Sequence, residues 1–322
     1  MEGTKDMKMR DFGFVRGVNL GGWLSQCDYS RERLDSFITE RDFDEIARWG
    51  LDHVRVPMDY NVLENPDGSL SGEGFDRVAR IADLCRERGL RLVLDLHKTA
   101  GYSFDSDEQE TGFFDSPKYQ ERFYVLWEGL AGHFCDPDRI AFELLNEVTD
   151  KSYIGSWNRI AAECIARIRK KAPRSLILVG SYWNNSAEAV PDLDPPADDR
   201  VIYNFHCYEP LAFTHQGAFW VPELDQAARP SFAESGITPE GFEKLFAGAA
   251  EAAERNGTCL YCGEYGVIEN ASPEDTLRWF RAIHEVFEKM GISRCAWTYR
   301  QMHFGLADAR LDGVREELIR VL

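Results

Sequence analysis

Two glutamates give the first chemical clue. Glu147 follows an asparagine at the end of the apolar run 140–145, and Glu264 stands in Gly-Glu-Tyr-Gly after another apolar run. Two carboxyls facing each other without a metal have few uses. Held about 5–5.5 Å apart, one can attack an anomeric carbon while the other protonates the departing oxygen. The pair must then rest in different protonation states, which neighbours can enforce. Burial and the charge of Glu264 are expected to keep Glu147 protonated, while Arg55 and Tyr208 are expected beside Glu264. A bound sugar would also need an amide for a ring hydroxyl, which Asn146 offers, and a flat apolar surface, which Trp297 offers.

Such groups must be brought together by a scaffold. Short apolar runs at 14–18, 53–56, 90–96, 140–145, 175–179, 201–205, 259–262 and 293–297 read as strands. They are continuous rather than alternating, as in a parallel sheet covered by helices. Between them lie helical patterns with readable ends. Thr39 can cap a helix whose apolar face is Phe43, Ile46 and Ala47, with Gly50 as its stop. The stripe Phe75, Val78, Ile81, Ala82, Cys85 ends at Gly89, and 117–134, 156–171, 239–256 and 273–290 follow the same form. Strand starts recur about every 26 to 58 residues, which predicts eight βα units closed into a single-domain (β/α)8 TIM barrel over 1–322. A doubly wound sheet would want a glycine-rich phosphate turn early in the chain, and Gly17 with Gly21-Gly22 does not supply one.

Barrels of this kind keep their chemistry at the C-terminal strand ends. In order, those ends carry Asn19, Arg55, His97, Asn146 with Glu147, Trp183, His206 with Tyr208, Glu264 and Trp297. The strand midsections are apolar, so this polarisation points to a site. The insertion 207–238 after the sixth strand is expected to form a loop on the same face, and Trp220 within it is a candidate sugar platform.

Charge excludes several functions. The formal net charge of −18 repels phosphate backbones and anionic lipid, so neither nucleic acid nor membrane is expected as a partner. The stretch 1–10 has charges but no apolar run, which leads to the expectation of a cytoplasmic protein, or a secreted one if a leader has been removed. The eight cysteines are scattered and read as reduced thiols. Cys259 and Cys262 have a metal-like spacing, but residues three apart on a strand point to opposite faces.

Taken together, seven segments resemble glycoside hydrolase family 5, the retaining cellulases, mannanases and related β-glycanases. They are RGVNLGGWL at 16–24, HVRVP at 53–57, LDLH at 94–97, FELLNE at 142–147, NFHCYEP at 204–210, YCGEYG at 261–266 and AWTY at 296–299. The resemblance implies Glu147 as acid/base and Glu264 as nucleophile, with Arg55, His97, Asn146, His206, Tyr208 and Trp297 at the family's other site positions. It implies a β-linked oligo- or polysaccharide substrate and neither cofactor nor metal. The segment 210–220 resembles a loop of some bacterial β-1,4-glucanases, whereas 16–24 is closer to the exo-β-1,3-glucanase branch. An endo-β-1,4- or mixed-linkage glucanase is therefore the first expectation. An exo-β-1,3-glucanase, β-mannanase or β-glucosidase on the same machinery stands as the alternative, and a carbohydrate-binding barrel without turnover is the third.

Simpler roles compete at several positions. His97 and His206 could be satisfied core histidines, Tyr208 could be packing, and Arg55 could merely bridge carboxylates. Tyr299 competes with Trp297 for the platform role. Glu143 and Asp95, two residues or a few before a site residue, read as hydrogen-bonding support. Lys98 as a Schiff-base lysine, against the simpler reading of a solvated side chain, and His97, His206 and Glu264 as a metal triad, are the weaker readings.

Overall fold

The computed structural model describes residues 8–105 and 110–322. Most of the stretch 1–10 therefore lies outside the described residues. Eight parallel strands close into a barrel in sequence order: β1 Arg16–Asn19, β2 His53–Asp59, β3 Arg91–Lys98, β4 Ile140–Glu143, β5 Leu176–Val179, β6 Val201–Cys207, β7 Leu260–Tyr265 and β8 Ser293–Ala296. β1 pairs with both β2 and β8, which closes the ring.

The covering helices form where the caps and apolar stripes predicted them. Thr39 and Asp42 make a capping box ahead of Glu40–Arg48, and Ser71 caps Gly72–Glu87. Pro117, Pro239 and Pro273 open Pro117–His133, Pro239–Arg255 and Pro273–Met290, where a first turn needs no N–H. The apolar faces of these helices pack on the outside of the strands to form the main core.

One expected unit is not a full βα unit. Between β5 and β6 there is no long helix, only the turn Tyr182–Asn185 and a 3-10 helix over Ala187–Asp192. Pro191, Pro195 and Pro196 remove backbone donors just where a helix would have to continue. The interval is also the shortest in the barrel.

Inside the ring the side chains change character with height. Met9, Phe14, Val93, Ala141, Leu178, Ile202 and Tyr261 form an apolar floor. Above it lie the buried polar residues Arg55, Asp95, Glu143 and Asn204, and above these His97, His206 and Glu264. β2 extends to Asp59, so Arg55 lies within the barrel and not at its rim as the sequence reading placed it. Among the described residues all eight cysteines are free.

Candidate active site

Arg55 is the hub of the site. Its Nε and Nη2 donate to the two oxygens of Glu143 at 2.7 and 2.8 Å, and Nη2 also lies 3.0 Å from Asp95. Nη1 donates to Glu264 Oε1 and Asn19 Oδ1, both at 2.8 Å, while Nη2 reaches Asn146 Oδ1 at 2.8 Å. Burial works against the guanidinium charge, but Asp95, Glu143 and Glu264 hold its pKa well above the usual range. The same burial pushes Asp95 up to about 7 and raises Glu143, with Arg55 opposing in both cases. Asp95 and Glu143 thus act as the support expected of them.

Glu264 is held from two sides. Arg55 binds Oε1, and the Tyr208 hydroxyl donates to Oε2 at 2.7 Å. The β6–β7 register shifts between Phe205 and His206, so that His206 faces Glu264 and Gly263 is the extra residue. A bulge next to a site re-aims a side chain, and here it turns Glu264 toward the barrel mouth. Only glycine fits at 263, because a Cβ there would meet Asn204 Oδ1 at 2.7 Å, and Gly263 N donates to that same oxygen.

Glu147 stands opposite. One oxygen of Glu147, one of Glu264 and a ring nitrogen of His206 all lie within 4.8 Å of one another. His206 Nδ1 is 2.8 Å from Glu147 Oε1 and 3.7 Å from Glu264 Oε2. The Glu147 side chain is only 12% exposed, and burial pushes its carboxyl up to about 6. Burial, one of the two causes expected from the sequence, is the largest. Asn184, His97 and Arg55 pull in the opposite direction. Burial draws His206 down to about 4 and lowers His97, so both rings are neutral at pH 7.

Asn146, Trp297 and His97 lie around this pair. Asn146 Oδ1 is anchored by Arg55, and its buried Nδ2 has no partner among the described residues, leaving a donor for a ligand hydroxyl. Trp297 lies parallel to His97, with centroids 5.9 Å apart and planes 2° apart, and Gly21 leaves room beneath its ring. Tyr299 is turned away and bonds Glu45. His97 Nδ1 is fixed by Asp95 at 2.7 Å. Among the described residues, Glu147, His206 and Glu264 are the group that could hold a metal ion, and His97 is not part of it. A cation there would occupy the same two carboxylates.

Residues 12–303 match the family described as Cellulase (glycosyl hydrolase family 5). The chain belongs to glycosyl hydrolase family 5. It is 57% identical over 289 residues to Cellodextrinase A of Ruminococcus flavefaciens, spanning 89% of this chain and 85% of that protein. It is 33% identical over 337 aligned positions to Endoglucanase C of Acetivibrio thermocellus, spanning 96% and 98%. Among solved structures it is similar to the cellulose synthase subunit Z of Clostridioides difficile, with TM-score 0.81, 26% identity and coverage of 96% and 99%. The endoglucanase Cel5A of Thermotoga maritima also superposes with TM-score 0.81, but at 24% identity, covering 97% and 98%, and bears on the fold alone. This family 5 chain is a glycoside hydrolase, which sets aside the barrel without turnover.

The remaining residues of the family 5 barrel divide by exposure. Trp183 and Trp220 are open to solvent at 50% and 40%, and both lie in the chain between the two carboxylates. Gln216 is buried and donates to the Phe213 carbonyl, so it is packing. Lys98 is buried near the Tyr29 ring, not solvated as its sequence context suggested. A cavity of about 450 Å³ bounded by Gln216, Asp225, Arg229 and Glu234 opens in the insertion after β6. Neither Glu147 nor Glu264 lines it. Sequence reading missed Asn184, Asn185 and Asn204. The Trp-Asn-Asn triplet after β5 was the available signal, since asparagine tolerates the left-handed turn found there.

Proposed function

We propose that this glycoside hydrolase cleaves β-1,4-linked glucan, with soluble cello-oligosaccharides as its substrates, by double displacement. Glu264 is the nucleophile and Glu147 the acid/base. The observation that carries the reading is the approach of the two carboxylates within 4.8 Å. Inverting enzymes hold them about 6.5–9.5 Å apart to admit a water, and retaining ones about 5–5.5 Å.

In the first step Glu264 attacks C1 of the sugar, the bond from C1 to the leaving oxygen breaks, and Glu147 gives its proton to that oxygen. Its pKa near 6 keeps this proton available in mildly acidic solution. Arg55 and Tyr208 keep the nucleophile oriented, and the free Asn146 Nδ2 meets a hydroxyl of the sugar that rests on Trp297. In the second step Glu147, now ionised, takes a proton from water. The oxygen attacks C1 and releases Glu264. The product keeps the β configuration.

Short chains are favoured because the relative at 57% identity is named a cellodextrinase. Proton NMR during the first minutes of cellopentaose digestion tests both parts of the reading. β-Anomeric ends should accumulate before mutarotation; initial α-anomers would overturn the mechanism. Faster turnover of laminarin or mannan oligosaccharides would overturn the substrate.

A further inference from the structure

Glu147 is gripped on both carboxyl oxygens. Oε1 faces the buried His206 ring, and Oε2 accepts from the exposed Asn184 side chain at 2.8 Å. A general acid must present one oxygen to the glycosidic bond. Oε1 is committed to the barrel wall, so the oxygen on the open side, Oε2, carries that proton. Among the described residues, Asn184 alone donates to it.

Asn184 reaches Oε2 through an uncommon backbone. Trp183, Asn184 and Asn185 follow one another at φ 51, 55 and 57, three non-glycine residues in the left-handed region. Such residues persist only where their surroundings over-determine them. Asn184 N is tied to the Val148 carbonyl at 3.0 Å, and Asn185 is fully buried beneath, with Nδ2 3.4 Å from His206 Nε2. The turn therefore delivers one amide to each side of Glu147, directly to Oε2 and through His206 to Oε1.

We propose that Asn184 is a positioning residue that serves both protonation states of the acid/base. Its Nδ2 donates to Glu147 Oε2 when that group is a carboxylate, and after a half-turn of the amide its Oδ1 accepts from the same oxygen when it is protonated. The proposal rests on Glu147 being the acid/base. An amide is suited to this because it places donor and acceptor on one planar group, whereas a carboxylate only accepts. Its exposure leaves it free to turn. The other charged or titratable groups facing Glu147 are Arg55 from β2, Asp95 and His97 from β3, Tyr102, whose hydroxyl donates to the Glu147 carbonyl, His206 from β6, Tyr208 just after it, and Glu264 from β7. Among the described residues none of them hydrogen-bonds Oε2. After burial, which raises the Glu147 pKa, the bond from Asn184 is the largest influence and acts in the opposite direction.

The test is the pH profile of kcat/KM on cellotetraose for the wild type, Asn184→Gly and Asn184→Asp. Glycine adopts the left-handed turn freely, so the fold is kept while the amide is removed. The alkaline limb should move up by about 0.5–1 pH unit in the glycine variant, because the bond lost to the carboxylate is stronger than the one lost to the neutral acid, and only their difference moves the limb. It should move further in the aspartate variant, whose own charge opposes ionisation of Glu147. On 2,4-dinitrophenyl β-cellobioside at pH 5, where release of the glycosyl-enzyme needs the ionised base, kcat should fall several-fold in both. A limb that stays in place in both variants, or a loss equal at every pH, overturns the role of Asn184. The assignment of Glu147 is read separately, from the azide product of Glu147→Ala. A β-glycosyl azide together with an unmoved limb sinks Asn184 alone, while absence of that product sinks the assignment beneath it.

Discussion

Arg55 Nη1 lies 2.8 Å from Glu264 Oε1, while the other nitrogens of the same guanidinium hold Glu143 and Asn146. A single buried cation thus sets the positions of Glu264, of Asn146 beside Glu147, and of Glu143 beneath them. Arg55→Ala leaves Asp95, Glu143 and Glu264 without the cation they share. Breaking a buried pair on one side costs about 3–5 kcal/mol, so urea midpoints should fall sharply. Arg55→Lys restores the charge but not the planar fork. It should fold better than the alanine variant yet lose about 100-fold or more in kcat/KM, the scale of a displaced catalytic group. Equal activity of Arg55→Lys and wild type would show that charge alone is needed.

The two glutamates can be separated by stereochemistry. Each is replaced by alanine and supplied with an activated aryl β-cellobioside and azide. In Glu264→Ala azide enters the vacated α face and displaces the leaving group once, giving the α-glycosyl azide. In Glu147→Ala the nucleophile survives, and azide intercepts the glycosyl-enzyme from the β face. Two inversions give the β-glycosyl azide. The same anomer from both variants, measured by NMR, would reverse or remove the assignment.

Trp297 and Trp183 should respond to substrate length in different ways. Trp297 is 6% exposed and packed beside His97 at the carboxylates, so Trp297→Ala should depress kcat/KM for every cello-oligosaccharide. Trp183 is half exposed and adjoins Asn184, which bonds Glu147, and it is expected to stack on a sugar unit away from the cleaved bond. Trp183→Ala should lower kcat/KM for cellopentaose about 3–10-fold, the loss of one aromatic contact, and leave aryl β-glucosides nearly unchanged. Uniform losses in both variants would remove the exposed ring from the binding path.

His215 links the site to acid stability. It packs edge-on to Tyr208 and beside Phe304, and burial draws its pKa down to about 4. As pH falls below about 6.5 the unfolded chain takes up a proton that the folded ring refuses, so stability present at neutral pH is lost on acidification toward pH 4. Between pH 7 and 5 the loss from this residue is on the order of 1–2 kcal/mol. His215→Phe should keep the packing and show a smaller fall in Tm over that interval. An identical fall would assign the acid sensitivity to His97 and His206 instead.

Much of this architecture was legible without coordinates. The eight strands follow from local apolar runs, and the helices from caps and stripes within a few residues, because both depend on contacts between near neighbours in the chain. The carboxylates were legible for a related reason: a barrel gathers the C-terminal ends of its strands, so position along a strand already implies position in the site. The same local signals miss what depends on distant partners. Nothing near Arg55 in the chain says that it sits inside the barrel among Asp95, Glu143 and Glu264, because its place depends on how far β2 runs beyond it. The bulge that re-aims Glu264 arises only when β7 pairs with β6 around Gly263 and Asn204. The left-handed turn of Trp183, Asn184 and Asn185 is disfavoured locally and is held by contacts to Val148 and His206, elsewhere in the chain. Residue type and order determined the fold and the two glutamates. The tertiary structure alone decided which neighbours hold each carboxylate, since burial and hydrogen bonds exist only once remote segments meet.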